Sequence, residues 1–144
     1  MHYYADSSFL VSCYIVDANS RSARTWLSRT GAQIPFTALH ALEARNAFKL
    51  GVFRRLFSAS DADAAWANLE LDPRAGRLVK TAVKWPVALR IAARLSERHT
   101  AATGTRSLDI LHVAAGQTLR AGEFVSFDTR QRALANVAGL RPVP

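Results

Sequence analysis

The sequence predicts an α/β fold with one compact core, and three observations favour it. Short β-type stretches alternate with longer helical patterns, which is the order that strand–helix–strand units produce. Residues 107–122, SLDILHVAAGQTLRAG, are apolar nearly all round, which predicts a central, buried helix. A length of 144 residues, of which 49% are hydrophobic and 21% charged, suits a globular domain and argues against disorder. We therefore expect a single domain over residues 1–144.

The first half of the chain predicts two strands and four helices, with capping residues, glycine or proline at most of their ends. In order, these are a strand at His2 to Ala5, a helix starting at Asp6 to Ser8, a helix at Ser20 to Arg29 closed by Gly31, a strand at Gln33 to Phe36, a helix capped by Thr37 that frays near Gly51, and a helix from Ser60 to Leu71 stopped by Asp72 and Pro73.

The second half predicts three helices around one clear strand, with weaker strand signals before and after them. In order, these are a weak strand at Leu78 to Val83, a helix from Pro86 to Thr100 broken by Gly104, the buried helix from Ser107 ended by Gly122, the clear strand at Glu123 to Phe127, a helix headed by Asp128, and a short final strand. No internal repeat or long linker interrupts this order.

The charge balance is basic, with 19 Lys and Arg against 11 Asp and Glu and a formal net charge of +8. Two interpretations stay open: a surface that attracts the phosphates of a polyanion, or a solvated basic face of an arginine-rich protein. The lone Cys13 allows no internal disulfide, residues 1–10 lack a basic signal region, and no apolar run could span a membrane. A cytoplasmic protein without membrane contact is expected.

Four carboxylates are the candidate functional residues of the sequence. Asp6 and Asp128 each end a predicted strand, Asp109 lies in the first turn of the buried helix, and Glu43 lies inside a helix. Functional groups of open α/β sheets gather at the carboxyl ends of strands, so Asp6 and Asp128 should share an edge. Helix capping is the competing explanation for each Asp, and Asp128 with Gln131 fits a capping box.

Glu43 has no capping explanation, because it lies beyond the first turn of its helix. On a helical wheel Leu39, Leu42 and Leu50 mark one apolar stripe, and Glu43 and Asn46 fall inside it. A buried carboxylate needs a neighbour that makes its charge tolerable. We expect Glu43 to be buried near Asp6 and Asp109, with a raised affinity for protons when no metal is bound, and Asn46 to orient its carboxylate.

Carboxylates that converge on one cleft repel one another unless a divalent cation neutralises them. Oxygen ligands select a hard ion, so the expected cofactor is Mg²⁺, with Mn²⁺ as the alternative. Such an ion lowers the pKa of a bound water and stabilises the charges of phosphodiester hydrolysis. The basic residues outside the cluster would hold a nucleic-acid backbone.

Four segments, in this order and spacing, resemble PIN-domain ribonucleases and, within them, the VapC-type toxins of bacterial toxin–antitoxin pairs. They are YADSSFLVSCY, TALHALEARNAF, GTRSLDILHVAAG and FVSFDTRQRALA. The resemblance covers essentially the whole chain. It implies a three-layer α/β/α sandwich around a mostly parallel central sheet, and a metal-dependent endoribonuclease that cleaves RNA, often structured RNA of the translation machinery. It also implies a cognate antitoxin that inserts a segment into the active groove, and a homodimer.

Carried over by position, the resemblance implies roles for the four acids. Asp6 and Asp109 would be the firmest metal ligands, Glu43 would bind directly or through water and help to activate the nucleophile, and Asp128 would be the fourth acid, whose role varies. Ser7 or Ser8 fills the place of a small hydroxyl residue that commonly follows the first Asp. Ser12 departs from the pattern, because relatives often carry Lys there.

Other side chains near these acids have weaker signals. Arg130 and Arg132 flank the fourth acid and are candidates for phosphate contact. His112 lies one turn after the third acid, but on an apolar helix a hydrogen-bonded core histidine is the more frequent case. Cys13 has no nearby His or Lys pattern and is expected in the core.

Two alternatives belong to other functional classes. A non-catalytic PIN-like module that docks RNA or a protein would usually lack one of the four acids, and all four are present. Receiver and haloacid-dehalogenase-like folds need a phosphoacceptor Asp on a third strand or a D-x-D pair, and neither occurs. No glycine-rich phosphate loop is present either.

Overall fold

The computed structural model describes residues 2–72 and 76–144. By its internal contacts the chain divides into two compact units, one made of Met1–Asp6 with Ala82–Pro144 and the other of Ser7–Thr81. The expected single domain over residues 1–144 stays a prediction.

Helices and strands alternate along the chain as the sequence predicts, and the α/β fold class is confirmed. In chain order the elements are β1 (Tyr3–Ala5), α1 (Ser7–Tyr14), α2 (Ser20–Thr30), β2 (Ile34–Phe36), α3 (Ala38–Phe53), α4 (Ala59–Leu71), β3 (Leu78–Lys80), α5 (Trp85–Thr103), α6 (Ser107–Thr118), β4 (Glu123–Val125), α7 (Thr129–Val137) and β5 (Arg141–Val143). Both weak strand signals therefore correspond to strands. The predicted stop at Pro73 lies outside the described residues.

The first unit contains a three-stranded parallel sheet in the order β1-β4-β5. Tyr4 pairs in register with Phe124, and the two rings stack with centroids 6.1 Å apart. Helix α6 packs beside this sheet and buries six of its twelve residues, which confirms it as the central helix. Parallel strands that end together at Ala5 and Val125 place the residues that follow them at one edge.

The second unit contains the parallel pair β2 and β3, with Ile34 opposite Leu78. Helix α1 packs against α2, α3 and α4, and its Phe9 is fully buried with its ring edge-on to Trp26 at 5.5 Å between centroids. Phe48 of α3 is also buried. Phe9 and Phe48 therefore belong to the apolar interior of the unit.

Helix ends follow the predicted chemistry with one correction. Gly31 and Gly104 end α2 and α5 with positive φ angles of 59° and 65°, a conformation that glycine adopts without strain. Thr37 caps α3, with its hydroxyl 3.4 Å from the backbone N of His40. The cap of α4 is Ser58 and not Ser60, because Ser58 and Asp61 exchange side-chain to backbone hydrogen bonds.

Within residues 2–72 and 76–144, no helix combines the length and the apolar content that crossing a membrane requires.

Candidate active site

Asp6 is a buried carboxylate at the carboxyl end of β1, where its side chain is 1% exposed. Its backbone N donates to Val125 O at 3.0 Å and so extends the pairing of β1 with β4. Two side chains donate to one of its carboxylate oxygens, Oδ2: the hydroxyl of Ser126 at 2.6 Å and the amide Nε2 of Gln131 at 2.9 Å. Hydrogen bonds to a carboxylate are strong, so the orientation of Asp6 is fixed by these two donors.

Asp128 is joined to the same two residues. It is the N-cap of α7, and its Oδ1 accepts from the backbone N of Gln131 at 2.8 Å. Its own backbone N donates to the Ser126 hydroxyl at 3.0 Å. We call Asp6, Ser126, Asp128 and Gln131 the acid network. The cap predicted at Asp128 is present, while the side chain of Gln131 donates to Asp6.

Asp109 lies in the first turn of α6, with 20% of its side chain exposed. Burial raises the pKa of its carboxyl above the usual range, and the charge of Asp128 raises it further. Arg106, whose Nε lies 3.4 Å from Asp109 Oδ2, and His112 act in the opposite direction. The first unit therefore brings three of the four predicted acids into electrostatic or hydrogen-bonded connection.

Glu43 belongs to the second unit, in the middle of α3, and is half-buried. The hydroxyl of Ser7, the first residue of α1, donates to Glu43 Oε1 at 3.0 Å. Asn46 is exposed, so it does not lie on a buried face of α3, and its predicted role in holding Glu43 stays a prediction. Ser7 supplies that contact in the second unit. The convergence of Glu43 with the three aspartates stays a prediction.

The apolar stripe predicted on α3 is wrong in part. Leu39 is buried, but Leu42 is 65% exposed, and the other buried residues of α3 are His40, Ala44, Phe48 and Gly51. Gly51 matters for this face because a Cβ there would come within 3 Å of the Phe57 ring. The buried side of α3 therefore includes the small residues Ala44 and Gly51 together with His40.

The donor chemistry of the first unit fits a hard cation, because carboxylate oxygens of neighbouring acids repel one another without one. In the described part of the chain, however, no three His, Cys, Asp or Glu side chains are gathered closely enough to hold a metal ion as they stand. The predicted roles of Asp6 and Asp109 as metal ligands therefore stay predictions, as does the Mg²⁺ or Mn²⁺ cofactor.

The basic residues beside the acid network divide into two kinds. Arg132 is half-buried and donates through Nη1 to Ser126 O at 2.8 Å, so it holds the turn between β4 and α7. Arg130 is exposed, with its side chain beside Gly104. His112 is a core residue, with its Nδ1 3.0 Å from the Tyr4 hydroxyl. Of these, only Arg130 is exposed, and the phosphate contacts predicted for Arg130 and Arg132 stay predictions.

Sequence reasoning missed the roles of Ser126 and Gln131. Both lie in the segment VSFDTRQ, and Gln131 was noticed only as the partner in a capping box. A polar residue that ends an apolar strand two positions before an Asp is the signal that could have identified Ser126. The contact from Gln131 to Asp6 joins residues 125 positions apart, and no local pattern encodes it.

A separate cleft of about 820 Å³ lies within the second unit, among residues of α1, α2, α4 and β3 and the loop that precedes β2. Cys13 lines it, half-buried, and burial raises the pKa of its thiol to about 12. The thiol is therefore mainly protonated at neutral pH, which argues against a nucleophilic role. None of the acids predicted from the sequence lines this cleft.

These elements and the acids at their ends define a PIN-like α/β fold. The crystal structure of FitAcB from Neisseria gonorrhoeae has this fold: it matches 99% of the chain and 96% of its own chain with a TM-score of 0.67 and 16% sequence identity. At that identity the likeness shows the fold alone. The sequence matches no family model and no curated protein sequence.

Proposed function

We propose that this protein is a toxin of the PIN-fold kind that cleaves RNA as a metal-dependent endoribonuclease. The observation that carries the proposal is the buried carboxylate of Asp6, fixed at a strand end by Ser126 and Gln131, which also bind Asp128. A protein that only needed helix caps would have no reason to bury a second carboxylate and hold it in this way. The likeness to FitAcB supports a toxin of this kind.

The residues of the first unit would have different roles in the proposed reaction. Ser126 and Gln131 would keep Asp6 oriented, because both donate hydrogen bonds to its carboxylate oxygen Oδ2. Asp109 has a pKa raised by burial and by Asp128, so its ionised form is favoured by any positive charge that reaches it. A divalent cation bound by these acids would supply Lewis acidity toward a phosphodiester and a water of lowered pKa.

Glu43 is the proposed proton acceptor for the attacking water. The Ser7 hydroxyl binds Glu43 Oε1 and so holds the carboxylate in one orientation. Arg130, together with the formal net charge of +8, would attract the RNA backbone outside the acidic centre. We propose structured RNA of the translation machinery as the substrate, as the resemblance implies.

The partners follow from the same proposal. A cognate antitoxin would block the acids until it is removed, and the likeness to FitAcB supports a partner of this kind. We also propose that the chain forms a homodimer in the cytoplasm. Light scattering of the purified protein measures its mass against the 15.8 kDa of one chain.

A second candidate, the non-catalytic PIN-like module, is favoured by one observation. In the part of the chain that the structure describes, no three acids are gathered for metal binding. Such a module would bind RNA or a protein through its basic surface and would leave RNA intact.

RNA cleavage by purified protein separates the two candidates. The assay uses structured RNA with Mg²⁺, Mn²⁺ or EDTA and compares wild type with Asp6→Asn and Glu43→Gln. Removing a general base lowers rates by about 10²–10⁴-fold, so Glu43→Gln should fall in that range, and Asp6→Asn should lose activity with either metal. Asp63→Asn, an exposed acid paired with Lys49, is the matched control and should cleave as wild type does. Binding without cleavage by the wild type would favour the module.

A further inference from the structure

Helix α5 carries three arginines on one side. Arg90, Arg94 and Arg98 follow one another at intervals of four residues, and all three are exposed. Residues four apart are separated by about 6 Å along a helix and lie on nearly the same face. The three side chains therefore form a row about 12 Å long, which we call the arginine row.

No acid in the described part of the chain neutralises this row, since none of the three guanidinium groups forms an ion pair there. The acids of the first unit are five, namely Asp6, Glu97, Asp109, Glu123 and Asp128. Four of them contact other residues of the unit, and Glu97, which lies on α5 itself, is not paired with the row. The row therefore keeps its positive charge.

The fold gains nothing from this arrangement. Like charges four residues apart destabilise a helix, whereas opposite charges at that spacing stabilise it. A helix that needed only a solvated outer face would do better with acids among its arginines. A negatively charged partner would remove the repulsion, so the row favours a polyanion-binding surface over a merely solvated basic face.

The row leads toward the end of α5 that lies beside the acid network. Gly104 ends α5 about 9 Å beyond Arg98 along the helix. The Arg130 side chain lies against this end, with its Cδ and Nε atoms 3.9 Å from where a Cβ on Gly104 would be. Arg130 is exposed and follows Asp128 by two residues. Positive charge therefore extends from the middle of α5 to the acid network within the first unit.

We propose that the arginine row and Arg130 bind the phosphodiester backbone of RNA and lead it to the acid network. The inference rests on the proposed function in taking RNA as the partner. A guanidinium group pairs with a phosphate through two parallel hydrogen bonds, and successive phosphates of one strand supply a series of such acceptors. Phosphate contacts carry no sequence information, so this surface should bind RNA of any base sequence.

Fluorescence anisotropy of a labelled RNA hairpin in EDTA tests the proposal, because EDTA prevents metal-dependent cleavage during the measurement. The row variant combines Arg90→Gln, Arg94→Gln and Arg98→Gln. Each lost phosphate contact lowers the slope of log affinity against log salt concentration by about 0.7–0.9, so the slope should fall by about 2. At about 50 mM salt the row variant should bind about 10²-fold more weakly than wild type.

The matched control combines Arg21→Gln, Arg29→Gln and Arg54→Gln, which replace three exposed arginines of the second unit. It loses the same net charge, so it should keep the wild-type slope and an affinity within about threefold of wild type. Urea unfolding shows that each variant is folded. Should the row variant fail to fold, Arg94→Gln alone serves the same comparison, with a slope lowered by about 0.7–0.9.

Equal losses of affinity in the row variant and the control would overturn the proposal, because net charge alone would then explain the binding. A wild type that binds no RNA would overturn it as well. Weaker binding by the row variant, in a protein that leaves RNA intact with Mg²⁺ or Mn²⁺, would support the inference while the proposed function fails. Cleavage by the wild type, with equal affinities of the row variant and the control, would support the proposed function and overturn the inference.

Discussion

The Ser7 hydroxyl donates to Glu43 Oε1 at 3.0 Å and so joins the first residue of α1 to the middle of α3. Ser7 is 7% exposed, while Glu43 is half-buried. A carboxylate in that setting is partly removed from water and takes part of its stabilisation from the hydroxyl. Ser7 directly follows Asp6 in the sequence. The Ser7 hydroxyl binds the Glu43 carboxylate on α3, and the Asp6 carboxylate accepts from Gln131 on α7.

Replacing Ser7 by Ala should destabilise the protein and weaken the proposed cleavage. The lost hydrogen bond to a half-buried carboxylate is worth about 1 kcal/mol, measured as the free energy of unfolding in urea. Cleavage should fall as well, because Glu43 would no longer be held in one orientation. Ser22→Ala, at an exposed position of α2, is the control and should change neither quantity. An unchanged unfolding free energy for Ser7→Ala would contradict the assigned role of the contact.

Ser58→Ala should cost about 1 kcal/mol of stability, whereas Ser60→Ala should cost little. Ser58 accepts from the backbone N of Asp61 at 3.0 Å, and the carboxylate of Asp61 accepts from the backbone N of Ser58 at 3.1 Å. Losing a serine N-cap typically costs that amount. Ser60 lies inside the first turn and is exposed. Urea unfolding of both variants measures the difference, and equal losses would show that the cap is not at Ser58.

Much of the fold was predictable because its signals are local. Gly31 and Gly104 end helices through their own backbone conformation, and both ends were predicted. The strand at Glu123 to Val125 and its following cap at Asp128 were predicted for the same reason. The error at Ser58 is also local, since two serines near one helix start offer the same chemistry.

The rest depends on contacts between distant residues. The inward face of α3 could not be identified from Leu42, because a leucine is frequently exposed, and the buried face includes Gly51, where the Phe57 ring packs close to the backbone. The three aspartates were selected from their strand-end and helix-start positions, which are local signals, and their convergence with Glu43 stays a prediction. Gln131 was not found, because its contact with Asp6 exists only when β1 and α7 are both in place.

Tyr4→Phe should destabilise the first unit without changing metal binding. The Tyr4 hydroxyl lies 3.0 Å from Nδ1 of His112, and both side chains are fully buried. Losing one partner of a buried hydrogen bond costs about 1–3 kcal/mol, seen as a lower Tm. Tyr3→Phe, on the same strand but partly exposed, is the control for the substitution itself. A change in Mn²⁺ affinity for Tyr4→Phe would instead indicate that His112 acts at the metal.

Asp109→Asn should stabilise the metal-free protein at neutral pH. Burial raises the pKa of Asp109 in the folded state above its value in the unfolded chain, and the Asp128 charge adds to the shift. The stability that this group contributes is therefore fully present below the unfolded pKa of about 4 and is lost as the pH rises through the folded pKa. An asparagine side chain stays neutral, so the variant loses no stability through ionisation at this position over the same pH range. The difference in unfolding free energy, variant minus wild type, should therefore become more positive from about pH 4 to pH 7.

Urea unfolding in EDTA at several pH values measures this difference, with Asp63→Asn as the exposed control that should show no such trend. Mn²⁺ should reverse the order, because a cation stabilises only the ionised carboxylate of the wild type. Removing Asp109 would then increase the stability of the metal-free fold and abolish part of the stabilisation by metal. If Asp109→Asn were less stable than wild type at pH 7 in EDTA, the helix-capping explanation for Asp109 would be the better one, since an acid in the first turn of α6 would then favour the fold through its charge.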